Sequence, residues 1–398
     1  MRTIQLDLIQ TLLVAIVALF AGRALVDAVP ALRRYSIPAA VVGGGLFAVV
    51  LGVLGRVLGV QVAFDTSMQD ALLLAFFTTI GLSGDVRSLL HGGRALFVFL
   101  AAAIGLIVVQ NAIGVAVGLA MDLTPTMGLT LGSITLTGGH GTGAAYAQNF
   151  AEVQNIRGAM EVAMAAATAG LVIGGIVGGP VAERLIRRYR LTGSGGEAAA
   201  GEAEGAEEPI TTDSLLRTLL AVLVALTVGR MLGALAADWP IVLPRFIWCL
   251  LIGLVIRNVA AAGVYKVDQS TVDAFGSVVL SIFLVVALMA LRFGDLLALA
   301  GPLLVILALQ TIAAALYATW ITFRVMGRNY DAAVMSGAHV GFGLSSTAMA
   351  LAIMRTLTNR HGPAPLALLL VPLVGAFFVD IMNALLIQGF MALPWFGF

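Results

Sequence analysis

Apolar residues in this chain come in runs long enough to cross a bilayer, and that constrains the fold more than any other feature of the sequence. The runs fall at about 8–27, 37–55, 70–84, 95–119 and 159–180, then at about 215–236, 246–264, 274–291, 301–323 and 366–391. A spanning helix needs roughly twenty apolar residues, so the pattern predicts about ten transmembrane spans. Charged residues make up 11% of the 398 and hydrophobic residues 60%, with a mean hydropathy of +1.03. A soluble domain carries about a quarter charged residues, so that class is excluded. A membrane barrel would alternate apolar and polar positions instead. The expectation is an all-α polytopic membrane protein. A net charge of +1 offers no footprint for nucleic acid. The single Cys249 forms no internal disulfide. The run from Leu8 to Ala24 lacks a convincing signal-peptidase site and reads as a retained first span.

Two polar, glycine-rich stretches break this apolar pattern. The first is Thr135-Leu-Thr-Gly-Gly-His-Gly-Thr-Gly143; the second is Ser336-Gly-Ala-His-Val-Gly-Phe-Gly343. Backbone that leaves regular structure at membrane depth must be buried in protein or line a water-filled cavity. Interruptions at matching places in two halves of a membrane protein point to a transporter's binding site. The surrounding blocks, about 126–150 and 331–354, are expected to be re-entrant hairpins. Gly138, Gly139, Gly141 and Gly143 permit a tight tip, and Thr137, His140 and Thr142 give it polar groups that helix packing alone does not require. Gly174, Gly175, Gly178 and Gly179 read as a packing face.

The chain also resembles itself. TLLVAIVALFAGRAL from Thr11 matches TLLAVLVALTVGRML from Thr218 at nine of fifteen positions. Ile37-Pro38 is answered by Leu243-Pro244, Gln110 by Gln310 and His140 by His339. Several matches in the same order mark an internal repeat. The expected organisation is an N-terminal repeat over 1–190, a small-residue acidic linker over 191–213, and a C-terminal repeat over 214–398. With the linker cytoplasmic and five spans per half, roughly sixteen of the Lys and Arg residues fall inside and six outside, as the positive-inside rule asks. Both termini are then periplasmic and the second half is inverted relative to the first. Trp239 and Trp395 fall near the outer interface. The basic run Arg184, Arg187, Arg188 and Arg190 reads as a cytoplasmic anchor or a contact for anionic lipid.

Asp380 is the charge that most needs a reason. It lies in the middle of the last run, and Asn383 follows one helical turn later. A charge at mid-bilayer costs about 2.5–3.5 kcal/mol on insertion scales. The alternatives are a structural ion pair and a contact to a cation or substrate amine. His140 and His339 are open between structural support and ligation or proton relay. Gln110 and Asn111 are open between interhelical bonding and substrate contact. Arg23 and Arg230 read as structural, and Glu161 as interfacial. No HExxH or comparable pattern marks a transition-metal site, and no nucleophile–base pair suggests an enzyme.

The sequence resembles the bacterial sodium–glutamate symporter (glutamate:Na⁺ symporter, ESS) family over nearly its whole length. The resemblance is carried by Gly22-Arg23, LLLAFFTTIGL (72–82), VVQNAIG (108–114), GSITLTGGHGTGAA (132–145), GRNYDAAV (327–334), GFGL (341–344) and VPLVGAFFVDIMNAL (371–385). It implies a secondary transporter that imports L-glutamate with Na⁺ across the inner membrane, without a cofactor. It also implies two inverted five-span repeats, each with a re-entrant loop, in a homodimer that moves a transport domain against a scaffold. The loop motifs carry over to Gly138–Gly141 and to 337–343, the latter without a double glycine. The expected substrate contacts are Thr137, Gly138, Gly139, His140, Gly141, Thr142, Ser336, Gly337, His339, Gly341, Gly343, Ser345 and Asn383. Ser133, Thr135 and Asp380 are the expected sodium contacts. Other dicarboxylates or hydroxycarboxylates, proton coupling through the histidines, and an ion channel are the alternatives.

Overall fold

The computed structural model describes residues 2–34, 37–86, 93–154, 156, 158–193, 210–236, 244–259, 268–289 and 293–393. Most of the expected linker lies outside the described residues, as do Arg87, Arg157, Trp239, Leu243, Lys266, Arg292 and Trp395.

Helices build nearly all of it. The short strands β1 (Arg2–Gln5) and β2 (Val60–Ala63) pair in parallel, Arg2 opposite Val60. The first half then runs α1 (Leu8–Ala28), α2 (Pro30–Arg34), α3 (Ala39–Leu58), α4 (Gln69–Leu82), α5 (Gly93–Ala120), α6 (Pro125–Leu129), α7 (Gly139–Gln154) and α8 (Ala159–Tyr189). The second half runs α9 (Thr212–Leu235), α10 (Arg245–Val259), α11 (Gln269–Met289), α12 (Phe293–Tyr317), α13 (Phe323–Val325), α14 (Tyr330–Leu344), α15 (Thr347–His361), α16 (Pro365–Leu373) and α17 (Val379–Met391). Wider π turns join α6 to the first break (Thr130–Ile134), α12 to α13 (Ala318–Thr322), and α16 to α17 (Val374–Phe378).

Among the described residues, six helices are long and apolar enough to cross a membrane: Leu8–Ala28, Gly93–Ala120, Ala159–Tyr189, Thr212–Leu235, Gln269–Met289 and Leu299–Val325. Shorter apolar helices at Ala39–Gly55, Gln69–Leu82 and Val379–Met391 account for further predicted runs. The 366–391 run, expected to be one span, is continuous helix from Pro365 to Met391, widened by a π turn at Val374–Phe378 just after Pro372, whose missing N–H and ring disfavour straight helix.

The sequence marks several of these helix starts. Asp7 and Gln10 form a reciprocal cap on α1, with Gln10 N donating to Asp7 Oδ1 at 2.8 Å and Asp7 N to Gln10 Oε1 at 3.1 Å. Thr211 and Ser214 do the same for α9. Such caps pair N–H groups that the first turn leaves open. The two helices that share the TLL…GR pattern therefore also begin alike.

The chain divides into two compact units. Unit 1 comprises residues 1–85, 147–161 and 208–298. Its helices approach closely through glycine. A Cβ at Gly43 would meet the Ala18 carbonyl group, one at Gly253 would lie 2.6 Å from Thr78 O, and one at Gly276 would lie 2.5 Å from Thr79 Oγ1. Small residues of this kind drive packing where the solvent is itself apolar. Arg230 pairs with Asp70 at 2.8 Å, both partly exposed. Arg23 lies over the Phe20 ring.

Unit 2 comprises residues 86–146, 162–207 and 299–398. It holds both glycine-rich stretches. Their blocks differ from each other. The first is helix, π turn, tight turn, helix: α6, Thr130–Ile134, Thr135–Gly138, α7. The second corrects the sequence reading. Ser336–Gly343 is not a loop tip but continuous helix inside α14, and the chain breaks two residues later, at Ser345–Ser346. The glycines there serve packing. A Cβ at Gly337 would lie 2.7 Å from Gly178 O, and one at Gly341 would lie 3.0 Å from Ala350 Cα.

Candidate functional site

The two breaks meet in unit 2, and Gln110 of α5 ties them together. Its Nε2 donates to Gly343 O at 2.5 Å, near the end of α14. Its Oε1 accepts from Thr137 Oγ1 at 2.6 Å, in the first turn. Thr137 Oγ1 also lies 3.3 Å from Gly343 O. Gln110 is fully buried, so these bonds satisfy groups that would be costly to leave open. Gln310 of α12 reaches the same place from the second half. Its Nε2 donates to Gln110 O at 2.8 Å and to Leu131 O at 3.3 Å.

Local geometry explains why the first break falls where it does. Gly132 leaves the helical region (φ −96°, ψ −134°), and a Cβ there would lie 3.0 Å from Asn111 Oδ1. Gly139 has φ +64°, and a Cβ there would lie 3.1 Å from Ser345 O. Left-handed backbone is open to glycine and costly to most other residues. The Gly138-Gly139 pair thus lets the turn close and lets its end lie against the second break. Gly138 N donates back to Ser133 O at 2.9 Å.

The second break is held by serines. Ser345 (φ −155°, ψ −85°) ends α14, and Ser346 (φ −164°, ψ 159°) accepts from Met349 N at 3.4 Å to cap α15. Ser345 is buried.

The other predicted residues divide into spent and unspent groups. Thr135 Oγ1 donates to Thr130 O at 2.7 Å, and Ser336 Oγ to Ala332 O at 2.7 Å; both bonds stay within their own segments. His140 Nε2 lies 3.0 Å from Thr168 Oγ1, whose proton goes to Met164 O at 2.8 Å. That assigns His140 Nε2 as the donor. His339 Nδ1 lies 2.8 Å from Thr322 Oγ1, in the π turn after α12, and its ring stands among Phe99, Tyr317 and Phe342. Thr168 and Thr322 were not singled out in the sequence, since a threonine inside an apolar run gives no signal of its partner. Thr142, Gly141 and Gly143 are buried on the first turn of α7.

Ser133 lies at the centre of a second polar cluster. Its N–H donates to Asn111 Oδ1 at 3.0 Å, and its carbonyl accepts from Asn383 Nδ2 at 3.1 Å. Side-chain atoms on all three residues, Ser133 Oγ, Asn383 Oδ1 and Asn111 Nδ2, are buried without a hydrogen-bond partner among the described residues, as are Gln310 Oε1 and His339 Nε2. Buried polar atoms are nearly always paired, so an orphan set at one point asks for a water, an ion or a ligand. Asp380, one turn before Asn383, is half-buried and makes no salt bridge or side-chain hydrogen bond among the described residues.

Comparison with known proteins decides the family. The model of the sodium/glutamate symporter family matches residues 4–363, which include both breaks. The chain belongs to the sodium/glutamate symporter family. The sodium/glutamate symporter of Escherichia coli (strain K12) is 46% identical to it over 398 residues, covering 98% of this chain and 99% of the relative. That of Haemophilus influenzae is 43% identical over 389 residues, covering 95% and 96%. Members of this family are symporters, and the apolar helices make this one an integral membrane protein.

Proposed function

We propose that this protein imports L-glutamate coupled to sodium across the inner membrane, by alternating access. The observation that carries the reading is the end-to-end likeness to sodium/glutamate symporters, 46% over 98% of the chain. The geometry adds a place for the chemistry, the meeting of two helix breaks at Gln110. Broken helices turn backbone groups and helix ends toward a small polar ligand.

In this reading the halves 1–190 and 214–398 are inverted repeats joined by a cytoplasmic linker at 191–213, with both termini periplasmic. The blocks at about 126–150 and 331–354 are the re-entrant elements. Unit 2 is the moving part of an elevator, and the protein is a homodimer in lipid. Substrate contacts come from Thr137 to Thr142, from the α14 end (Ser336, Gly337, His339, Gly341, Gly343) with Ser345, and from Asn383. Ser133, Thr135 and Asp380 serve sodium. L-Glutamate carries a net charge of −1, so one sodium makes transport electroneutral. A second sodium adds about 2.3 kcal/mol per 100 mV of membrane potential.

The test is labelled L-glutamate uptake into proteoliposomes under an inward sodium gradient, against an equal potassium gradient and against a proton gradient. Uptake that needs sodium, saturates and supports counterflow is the expected result. Uptake driven by protons alone would move the coupling to His140 and His339. Competition by dicarboxylates or hydroxycarboxylates stronger than by unlabelled glutamate would overturn the substrate.

A further inference from the structure

The three orphan atoms around Ser133 differ in kind. Ser133 Oγ and Asn383 Oδ1 are oxygens able to face a cation; Asn111 Nδ2 is a donor. The rest of each group is committed. Asn111 is oriented by its Oδ1 on Ser133 N, and Asn383 by its Nδ2 on Ser133 O, so neither amide can flip without losing a bond. All three residues are at most 1% exposed. The Ser133 segment is also unwound, with Gly132 outside helical geometry immediately before it. The cluster is therefore held in place by its own hydrogen bonds, buried, and short of a partner in two opposite senses.

We propose that Ser133 Oγ and Asn383 Oδ1 are ligands of one sodium ion, and that the Asn111 amide N–H donates to a substrate carboxylate beside it. On this proposal Asn383 moves from the substrate contacts given above to the sodium site. The oxygen set is hard and uncharged, which suits a small monovalent ion; carboxylate-rich cages suit divalent ones. No group of three or more His, Cys, Asp or Glu side chains able to hold a metal occurs among the described residues. A cation and a carboxylate that share one cluster bind better together than apart, and that coupling is reciprocal. Asn111 lies next to Gln110 in α5, so the residue that joins the two breaks and the residue that reads the anion sit on one helix.

The proposal takes the identity of its ions from the reading above, and the test separates the two. Equilibrium binding of ²²Na⁺ to the purified full-length protein is measured with and without L-glutamate, alongside uptake. Ser133→Cys keeps volume and replaces a hard oxygen by sulfur; Asn383→Leu keeps shape and removes the oxygen. Each is expected to weaken sodium binding by about tenfold or more. Asn383→Asp places an oxygen against Ser133 O, so it is expected to bind sodium at least as tightly as the parent and to gain more thermal stability from it. Asn111→Asp keeps the acceptor for Ser133 N and loses the donor. It is expected to retain sodium binding while glutamate no longer tightens it.

Unchanged sodium affinity in both folded Ser133→Cys and Asn383→Leu would overturn the assignment and leave the cluster to a structural water. Weakened affinity in Asn383→Asp equal to that in Asn383→Leu would also overturn it, and this arm holds if Ser133→Cys fails to fold. Should the parent take up no glutamate yet bind sodium with the predicted variant pattern, the substrate reading falls and the cation site stands.

Discussion

The two breaks in unit 2 are built from different materials. The first is a glycine turn. It depends on Gly139 at φ +64° with Ser345 O closing the space where a side chain would go. The second is a serine break, at two residues with negative φ that side chains tolerate, capped by Ser346 on α15. Glycine lies near both, yet only at the first does it supply backbone conformation. At the second it supplies helix contact. The comparison teaches that a glycine count in a membrane segment does not say which of these roles is filled.

The strongest way to break the comparison is to add side chains at each. Gly139→Val places a β-branched side chain at positive φ and against Ser345 O; strain there costs roughly 1–2 kcal/mol before the clash. Sodium-driven glutamate uptake is expected to fall more than about a hundredfold, while the protein still inserts and purifies. Gly343→Ala, close to the second break, meets the end of a flexible side chain, Leu106 Cδ2, at 2.7 Å. It is expected to lower uptake far less than Gly139→Val does, since one leucine end can shift. Equal loss in both variants would mean that the two breaks share a backbone requirement.

This difference also governs what was legible in the sequence. The first break was readable because Gly138-Gly139 is flanked by Thr137, His140 and Thr142, a polar set that packing does not explain. The second was misplaced because Gly337 and Gly341, four apart, look like loop residues in a list and form a packing face on a helix. The usable signal was Ser345-Ser346, an N-cap residue type directly before α15. The 366–391 run reads as one span, and helix does run from Pro365 to Met391; the π turn inside it, after Pro372, shows only in the backbone geometry. Gln110 was visible as a buried polar residue answered by Gln310, whereas its partners are 27 and 233 residues away and no local pattern names them.

The next sharpening concerns those glutamines, which the repeat makes equivalent and the structure does not. Gln110 spends both ends of its amide, on Thr137 and on Gly343; Gln310 spends only its Nε2, and its Oε1 has no partner among the described residues. A buried polar group that loses its partner costs about 1–3 kcal/mol. Gln110→Leu removes two short bonds and leaves the buried Thr137 hydroxyl and Gly343 carbonyl only their 3.3 Å contact with each other. It is expected to lower the thermal midpoint in detergent clearly and to reduce uptake at least tenfold. Gln310→Leu removes an already orphaned oxygen along with its donor, so part of its cost is returned. Its loss of thermal stability is expected to be about half as large or less. A larger effect at Gln310 than at Gln110 would show that the unspent oxygen is used in a state other than this one.

The smallest effect tests the packing role alone, away from either break. Gly178 and Gly179 are neighbours on α8, yet their surroundings differ. A Cβ at Gly178 would lie 2.7 Å from Gly337 O and 2.5 Å from Ile353 Cδ1, against the helix that bears the second glycine stretch; one at Gly179 would meet nothing within 4 Å. Gly178→Ala must push α8 from α14, because a carbonyl cannot move aside as a side-chain end can. It is expected to cost about 1–3 kcal/mol, the range for overpacking. Gly179→Ala changes only the helix, where alanine is favoured over glycine by roughly 0.5–1 kcal/mol. It is expected to raise the thermal midpoint slightly and to leave uptake unchanged. Opposite signs at adjacent positions are a strict requirement. If both variants were neutral, α14 would not be held by close packing on α8, and the glycine at 337 would need another explanation.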